Sequence, residues 1–553
     1  MCLPLRHRSK VRDAGGSAPP WHRAAKIQRL LLTRVKTWEE IRGITGQPGI
    51  SIGVIHQGNE IFKYNAGALD VSTGVPPDSD SLYCIASLSK AFMAASLDLL
   101  VRDSENKITW ERTIHSIIPE FKHTQKPAEF GEMTLRDICS HRTGLLSLDE
   151  ITQGLDGRIL IDKKDVVKVC NAMPVKHNLR SNFVYNNGLY ELAGLVVERV
   201  SGYPTWGDFQ RERIFKPLGM TRTTAFRDVH ETDKNVAKPY MILTDGKPFP
   251  IPPTELSADS MNGGSGGLRS SVNDLLKWSA CLLSALNNKR SKSDAVLRHA
   301  SPIFNRCTIA NPEDAKAGDY CTGWCHHRTP AELGLISPNR SLVSPVLGTD
   351  SPSLLVYGHQ GDVPGYTCNL YLIPDSNSAV VVLSNGTGLG DATDFIAQDI
   401  IQTMSWLRPE VDFIAMTRKA RKIYRSHYET NLRAPLERNR GAKSPLPTLD
   451  DFVGTYVMDD LDVAFIEVVS SPNDSAGLQM MVNGYRDQAL PLQHYNHDVF
   501  TYLPDSYDEC LKRGMDLTLW STFLISFLRD DRGRVKGICW KLDGVATFFS
   551  RRG

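Results

Sequence analysis

The chain has 553 residues, a formal net charge of +2, and 41% hydrophobic and 23% charged residues. That balance is ordinary for a globular protein and gives no electrostatic reason to expect nucleic acid as a partner. No apolar run reaches the roughly 18 residues of a membrane span, and the length is enough for two domains.

The N-terminus, MCLPLRHRSKVRDAGGSAPPWHRAAK, is basic and lacks the apolar stretch of a secretory signal, so residues 1–25 read as a disordered tail and the protein as cytoplasmic. Its shortage of acidic residues before Glu39 would also fit a mitochondrial presequence. Eleven cysteines, an odd number without a pairing pattern, read as reduced thiols. KIQRLLLTRVKTWEEIRG is periodic enough for an amphipathic helix. PGISIGVIHQGNEIFKYNAGAL reads as a β-hairpin with His56-Gln57-Gly58-Asn59 at its turn.

CIASLSKAFMAASLDLL follows and reads as the opening of an amphipathic helix. Ser87 and Lys90 would lie on one face of it, a turn apart. Unsatisfied backbone N–H groups at the helix N-terminus could hold an oxyanion, so Ser87 is a candidate nucleophile with Lys90 as its base. By itself an S-x-x-K spacing arises often by chance. Tyr185-Asn186-Asn187 precedes the periodic helix LYELAGLVVERV. A phenol can shuttle protons beside a cation, and a carboxamide can hold an amine or an amide. Either asparagine could equally cap the helix.

Gly263-Gly264-Ser265-Gly266-Gly267 matches the G-x-S-x-G nucleophile elbow. An elbow needs a strand before it and a helix directly after it. Upstream lies the loop-like IPPTELSADSMN, and downstream Ser271 and Asp274 read as the cap of VNDLLKWSACLLSAL. The glycines therefore read as a loop passing close to the rim of the site. Residues from about 285 to 345 read as a variable insertion. Cys321-x-x-x-Cys325-His326-His327 overlaps a strand there and reads as structural, with no metal.

LLVYGHQGDVPGYTCNLYLIPDSNSAVVVLSNGTG alternates and is β-branched, so it reads as paired strands, the first carrying His359-Gln360-Gly361. Glycine inside a strand marks close approach by a ligand or backbone. DATDFIAQDIIQTMSWL reads as a closing helix, and residues 408–446 as a basic linker. From residue 447 onward, short strands and turn signals read as a small antiparallel barrel or sandwich.

S-x-x-K, Y-x-N and a basic residue-x-G, in that order, resemble the serine β-lactamase and penicillin-binding-protein superfamily, specifically its class C β-lactamase-related hydrolases (peptidase family S12). CSHRTGLLSLD resembles the family's L-x-H-x-S-G-L segment, with Thr143 for serine. NGGSGGLRSSVNDLLKWS resembles G-G-L-x-S-T-x-x-D-L-x-x-W, and DYCTGW resembles Y-G-x-G-W. The matches span roughly residues 40–405. The resemblance implies an α+β fold over 26–407, with an antiparallel sheet flanked by helices plus a helical lobe, and a lipocalin-like barrel over 447–553.

It also implies Ser87, Lys90 and Tyr185 as catalytic residues. Asn187, His359, Gly361 and Asp362 would bind substrate, with the N–H groups of Ser87 and Asp362 as the oxyanion hole and no cofactor. The expected activity is hydrolysis of a small-molecule ester or amide through an acyl-serine. The alternatives are acyl transfer on the same site, as in some relatives of fungal polyketide pathways, or a non-catalytic scaffold. Penicillin-binding proteins and most class C β-lactamases carry K-T-G where this chain has His359-Gln360-Gly361. The substitution removes a permanent cation, which disfavours β-lactams and predicts a histidine titrating between about 5.5 and 7.5. The barrel reads as an accessory module, so a chain ending near residue 445 is expected to keep an active core.

Overall fold

The computed structural model describes residues 24–553 except 105–106, 288–295, 298–301, 312, 314, 472–476, 516 and 518. The expected tail thus falls almost wholly outside the described residues, as do parts of the expected insertion.

The first part of the chain builds an eight-stranded sheet. Its elements are α1 (Ala24–Thr45), β1 (Gly49–His56), β2 (Asn59–Gly67), α2 (Ser89–Asp103), α3 (Gly188–Ser201), α4 (Val272–Leu286), β3 (Thr308–Ile309), β4 (Asp319–Tyr320), β5 (Cys325–Arg328), β6 (Leu355–Val363), β7 (Tyr366–Ile373), β8 (Ser378–Ser384) and α5 (Ala392–Ser405). The strand order is β2-β1-β8-β7-β6-β5-β4-β3, antiparallel throughout. The first and last strands of this part of the chain are joined, because the β1–β2 pair adds onto β8 through β1. β1 and β2 close through a two-residue turn at Gln57 and Gly58, both with positive φ, which matches the twist of a hairpin.

Side-chain alternation sorts the core into two layers. In β8, Ala379, Val381 and Leu383 join one cluster and Val380 and Val382 the other. The second cluster lies under α1 and α5, where the buried carboxylate of Asp399 accepts from Trp38 Nε1 (2.8 Å) and Arg34 Nη2 (2.6 Å). The first cluster runs into the helical lobe through α2, α3 and α4. β1, β7 and β8 are buried along their whole length, which is why they read as nearly continuous apolar runs.

α2 departs from its amphipathic reading. Every side chain from Ser89 to Leu97 is buried, together with Leu99 and Leu100. Its polar residues Ser89, Lys90 and Ser96 are interior too. The region read as a variable insertion contributes β3, β4 and β5 to the sheet itself.

Residues 408–446 are largely helical: α6 (Phe413–His427) continues through Tyr428–Arg433 into Ala434–Asn439 and buries Phe413, Tyr428, Leu432 and Leu436. Eight antiparallel strands then close a barrel, β9 (Gly454–Met458), β10 (Leu461–Ser470), β11 (Leu478–Val482), β12 (Leu490–Asn496), β13 (Val499–Thr501), β14 (Leu524–Arg529), β15 (Val535–Leu542) and β16 (Val545–Arg551). The Phe452-x-Gly454-x-Tyr456 opening has a structural reason. Tyr456 Oη donates to the Phe452 carbonyl (2.6 Å), and the Phe452 ring packs on Phe500 and Phe527.

The barrel is docked, not tethered. Tyr507 stacks on Tyr424 and Tyr428 of the preceding helices. Asn483 Nδ2 donates to the Leu160 carbonyl (3.0 Å), and the Leu155 N–H donates to Gln488 Oε1 (2.6 Å). Its apolar core is continuous with that of the helical lobe. Cutting at residue 445 would therefore expose an apolar surface that the barrel covers. A chain ended there should unfold at least 5 °C below the first calorimetric transition of the full protein, or aggregate. An unchanged transition temperature would show the two parts to be energetically separate.

Candidate active site

Ser87 sits in a single tight turn, Ala86–Leu88, just ahead of α2. It is the one partly exposed residue in an otherwise buried stretch from Ser81 to Ser96. Ala86 before it adopts φ +45°, a left-handed conformation that costs a non-glycine residue about 1–3 kcal/mol. That backbone presents Ser87 to the cavity while Lys90 points inward from the first turn of α2.

Lys90 is fully buried. Its Nζ lies 3.0 Å from Ser87 Oγ, 2.8 Å from Asn187 Oδ1 and 3.1 Å from the Ser265 carbonyl. The rings of Tyr185 and Tyr190 flank it at 4.7 and 5.3 Å. Loss of hydration pushes its pKa down to about 7, against the raising pull of Asp149. The neutral amine has two hydrogens and one lone pair. Asn187 Oδ1 and the Ser265 carbonyl can only accept, so they take the two hydrogens. The lone pair is left for Ser87, whose hydroxyl can donate to it.

Asn186 and Asn187 divide the work that the sequence left open. Asn186 Oδ1 accepts from the Leu189 N–H (3.0 Å) at the start of α3, so it serves as the cap. Asn187 is thereby free to bridge. Its Nδ2 donates to Asp149 Oδ2 (2.8 Å), which fixes the amide with Oδ1 toward Lys90. Ser147 Oγ and Asn262 Nδ2 donate to the other Asp149 oxygen. Sequence reasoning quoted the segment holding Ser147 and Asp149 without giving either a role.

Tyr185 is half-buried beside Ser87 in the cavity wall, its Oη makes no hydrogen bond among the described residues, and desolvation raises its pKa well above the ordinary phenol value. It is therefore a neutral phenol, which leaves Lys90 as the group able to accept a proton near pH 7. His141 packs its ring on Tyr185 at 4.2 Å and accepts from the Asn186 N–H through Nδ1. Burial and the nearby Lys90 hold it neutral.

His359 differs from the expectation. It is completely buried and does not line the cavity. Its Nδ1–H donates to the Gln360 carbonyl (2.7 Å), so Nε2 accepts from Tyr320 Oη (2.9 Å). Burial, then the neighbouring Lys90, push its pKa down to about 3. The expected titration between about 5.5 and 7.5 therefore passes from His359 to Lys90. Gly361 is explained by closeness. A Cβ there would stand 2.3 Å from the Ile85 carbonyl, directly before the nucleophile turn. Asp362, next along β6, lines the cavity with Ser87, Tyr185 and Asn187.

The five glycine-rich residues are not an elbow. Gly263–Gly266 forms one helical turn reached from irregular chain, and Ser265 Oγ donates to the Asn262 carbonyl (2.7 Å). A Cβ on Gly264 would meet the Tyr190 carbonyl at 2.5 Å, so glycine lets this turn press on α3 and deliver the Ser265 carbonyl to Lys90. Ser271 caps α4 by accepting from the Asp274 N–H. Among the described residues no three His, Cys, Asp or Glu side chains converge as a metal site, and the described cysteines form no disulfide.

The cavity holds about 680 Å³. The barrel supplies part of its wall through Val482, Leu490, Tyr502, Phe523 and Trp540, and nothing in the sequence pattern foretold this.

The beta-lactamase family profile matches residues 36–403. The chain belongs to the beta-lactamase family. The S-x-x-K, Y-x-N and H-x-G motifs all lie within the matched residues. The unguisins hydrolase of Aspergillus campestris is 26% identical over 347 residues, which cover 62% of this chain and 59% of that protein. The chain thus spans about three fifths of the length of the unguisins hydrolases it matches. An Escherichia coli K12 protein provisionally named a D-alanyl-D-alanine carboxypeptidase is 24% identical, over 64% of this chain and 82% of its own. The octameric penicillin-binding protein homologue from Pyrococcus abyssi shares the fold, with a TM-score of 0.53 at 20% identity over 96% of this chain and 98% of that one. Within this β-lactamase-family chain, no described helix is long and apolar enough to cross a membrane.

Two outcomes test the geometry. Gly361→Ala should lower kcat by about 10², the usual consequence of moving a reacting group by about an ångström, while circular dichroism stays native. Asp149→Asn removes the charge that raises the Lys90 pKa, so the acid limb of the kcat/KM–pH profile should move to lower pH. A limb that stays in place or moves up would remove Asp149 from control of Lys90.

Proposed function

We propose that the protein hydrolyses a neutral ester or amide through an acyl-enzyme on Ser87. The observation that carries this reading is the contact between Ser87 Oγ and a fully buried Lys90 amine held near neutrality. Lys90 takes the hydroxyl proton as Ser87 Oγ attacks the carbonyl. The resulting ammonium stays over the faces of Tyr185 and Tyr190, where cation–π attraction favours it. The N–H groups of Ser87 and Asp362 receive the oxyanion. Tyr185, a neutral phenol facing Ser87, passes a proton to the leaving group and recovers one from Lys90. Water repeats the sequence on the acyl-serine, releasing acid and restoring the serine. Asn187 holds Lys90 in line throughout. Residues 26–407 act as the catalytic unit.

Charge supports the neutral substrate class. The cavity lining includes Asp149, Glu150, Asp362 and Asp543, and among the described residues no Lys or Arg lines it. His359 is buried and neutral in place of the cation that would pair with a substrate carboxylate. Carboxylate-bearing β-lactams meet like charge here.

A fluorophosphonate should label Ser87, and Ser87→Ala should abolish the labelling while Ser265→Ala should not. Lys90→Ala and Tyr185→Phe should each lower kcat by about 10² with the fold retained. Labelling that survives Ser87→Ala refutes the nucleophile. For the full protein kcat/KM should rise with pH through about 7, because Lys90 acts only once deprotonated. Neutral p-nitrophenyl esters should be turned over faster than a cephalosporin, and the reverse order would reinstate a β-lactamase.

A further inference from the structure

The rings of Phe452, Phe500 and Phe527 pack on one another in the barrel. The space available lies where the barrel meets the catalytic part. There one continuous cavity runs from Ser87 and Tyr185 to Val482, Leu490, Tyr502, Phe523 and Trp540. The polar atoms of the two largest side chains are already engaged within the barrel. Tyr502 Oη and Trp540 Nε1 both donate to the Thr522 carbonyl, at 3.0 and 2.8 Å. What they turn toward the cavity is ring surface. On the catalytic side Leu146, Leu155, Leu160, Leu256 and Ile336 continue the apolar lining.

The wall is fixed in place by hydrogen bonds from the barrel to the segment that carries Asp149. The Leu155 N–H donates to Gln488 Oε1, Asn483 Nδ2 donates to the Leu160 carbonyl, and the Asp156 N–H donates to the Arg513 carbonyl (3.1 Å). A cavity of about 680 Å³ lies in the range, roughly 300–1,000 Å³, that encloses a molecule of drug size. It is far larger than an acetyl group needs.

Resting on the hydrolase reading of Ser87, we infer that the barrel is the selectivity wall of the active site, and that the preferred substrate carries an extended apolar chain on its scissile ester. The chain runs from Ser87 to the barrel residues, through either the acyl or the alcohol half of the ester. The carboxylates nearer the serine reject an acidic end group, so the chain is uncharged. Each methylene moved from water onto such a wall is worth about fourfold in kcat/KM.

The test uses the full chain and two ester series, p-nitrophenyl acetate to octanoate, and acetate esters of ethanol to octanol. At least one series should climb, with the eight-carbon member at least tenfold above the two-carbon member. The rate at which ethyl- and octyl-chain fluorophosphonates label Ser87 should show the same order and needs no turnover. Val482→Thr and Leu490→Gln, close in size but polar, should cut the long-to-short ratio at least fivefold, with folding confirmed by circular dichroism. Flat or falling profiles in both series and in the labelling rates overturn this inference while leaving the hydrolase reading intact. A ratio unmoved in folded wall variants also overturns it. Esters left unhydrolysed and Ser87 left unlabelled would overturn the hydrolase reading itself.

Discussion

The burial of Lys90 is the constraint on which the site depends. An ammonium taken out of water loses hydration that an interior cannot restore in full, so the group gives up its proton instead. Three oxygens then settle which way the amine faces: two can only accept, and the third belongs to Ser87. Much of the local backbone serves this arrangement. Gly264 allows one turn to press against α3 and bring up the Ser265 carbonyl. Asn186 caps α3, so that Asn187 does not have to. Asp149 limits the depression of the Lys90 pKa, because its negative charge opposes desolvation. The outcome is an amine that changes charge near neutral pH, where a general base is most effective.

The sheet was legible because period-two alternation is a direct imprint of two-sided burial, as β7 and β8 show. Ser87, Lys90, Tyr185 and Asn187 could be read as one candidate site because the motifs set particular side chains at fixed spacings on two helix starts, and the fold brings them together. Gly361 was legible as a close approach, and the Ile85 carbonyl is what approaches it. Other features leave no such imprint. The Ser265 carbonyl carries no letter of its own and meets Lys90 across 175 residues of sequence. Asp149 reads as a loop acid until its distance to Asn187 is known. The burial of α2 on every side from Ser89 to Leu97 was not legible in an amphipathic reading, because polar side chains can be buried when they find partners. Ser96 Oγ, for one, donates to the Phe92 carbonyl. His359 looked like a titrating group because its type was visible and its burial was not. The helical tendency of residues 408–446 was legible, but the burial of Phe413, Tyr428, Leu432 and Leu436, which packs these helices instead of leaving a linker, was not.

The barrel's influence on catalysis travels through one segment, residues 147–160. At its near end Ser147 and Asp149 hold the Asn187 amide, and Asn187 holds Lys90. At its far end Leu155, Asp156 and Leu160 hydrogen-bond to Gln488, Arg513 and Asn483 of the barrel region. The segment folds on itself through a helical turn at Asp149–Thr152 and a bridge between Gln153 and Ile159, so its two ends are held in one compact unit. Pinning that unit at both ends fixes the position of Asp149. The same residues therefore do two jobs. They form one side of the cavity, and they transmit the fixed position of the barrel to the Lys90 amine beside Ser87. That is why an appended all-β unit, whose sequence shows none of the catalytic motifs, is structurally part of the active site.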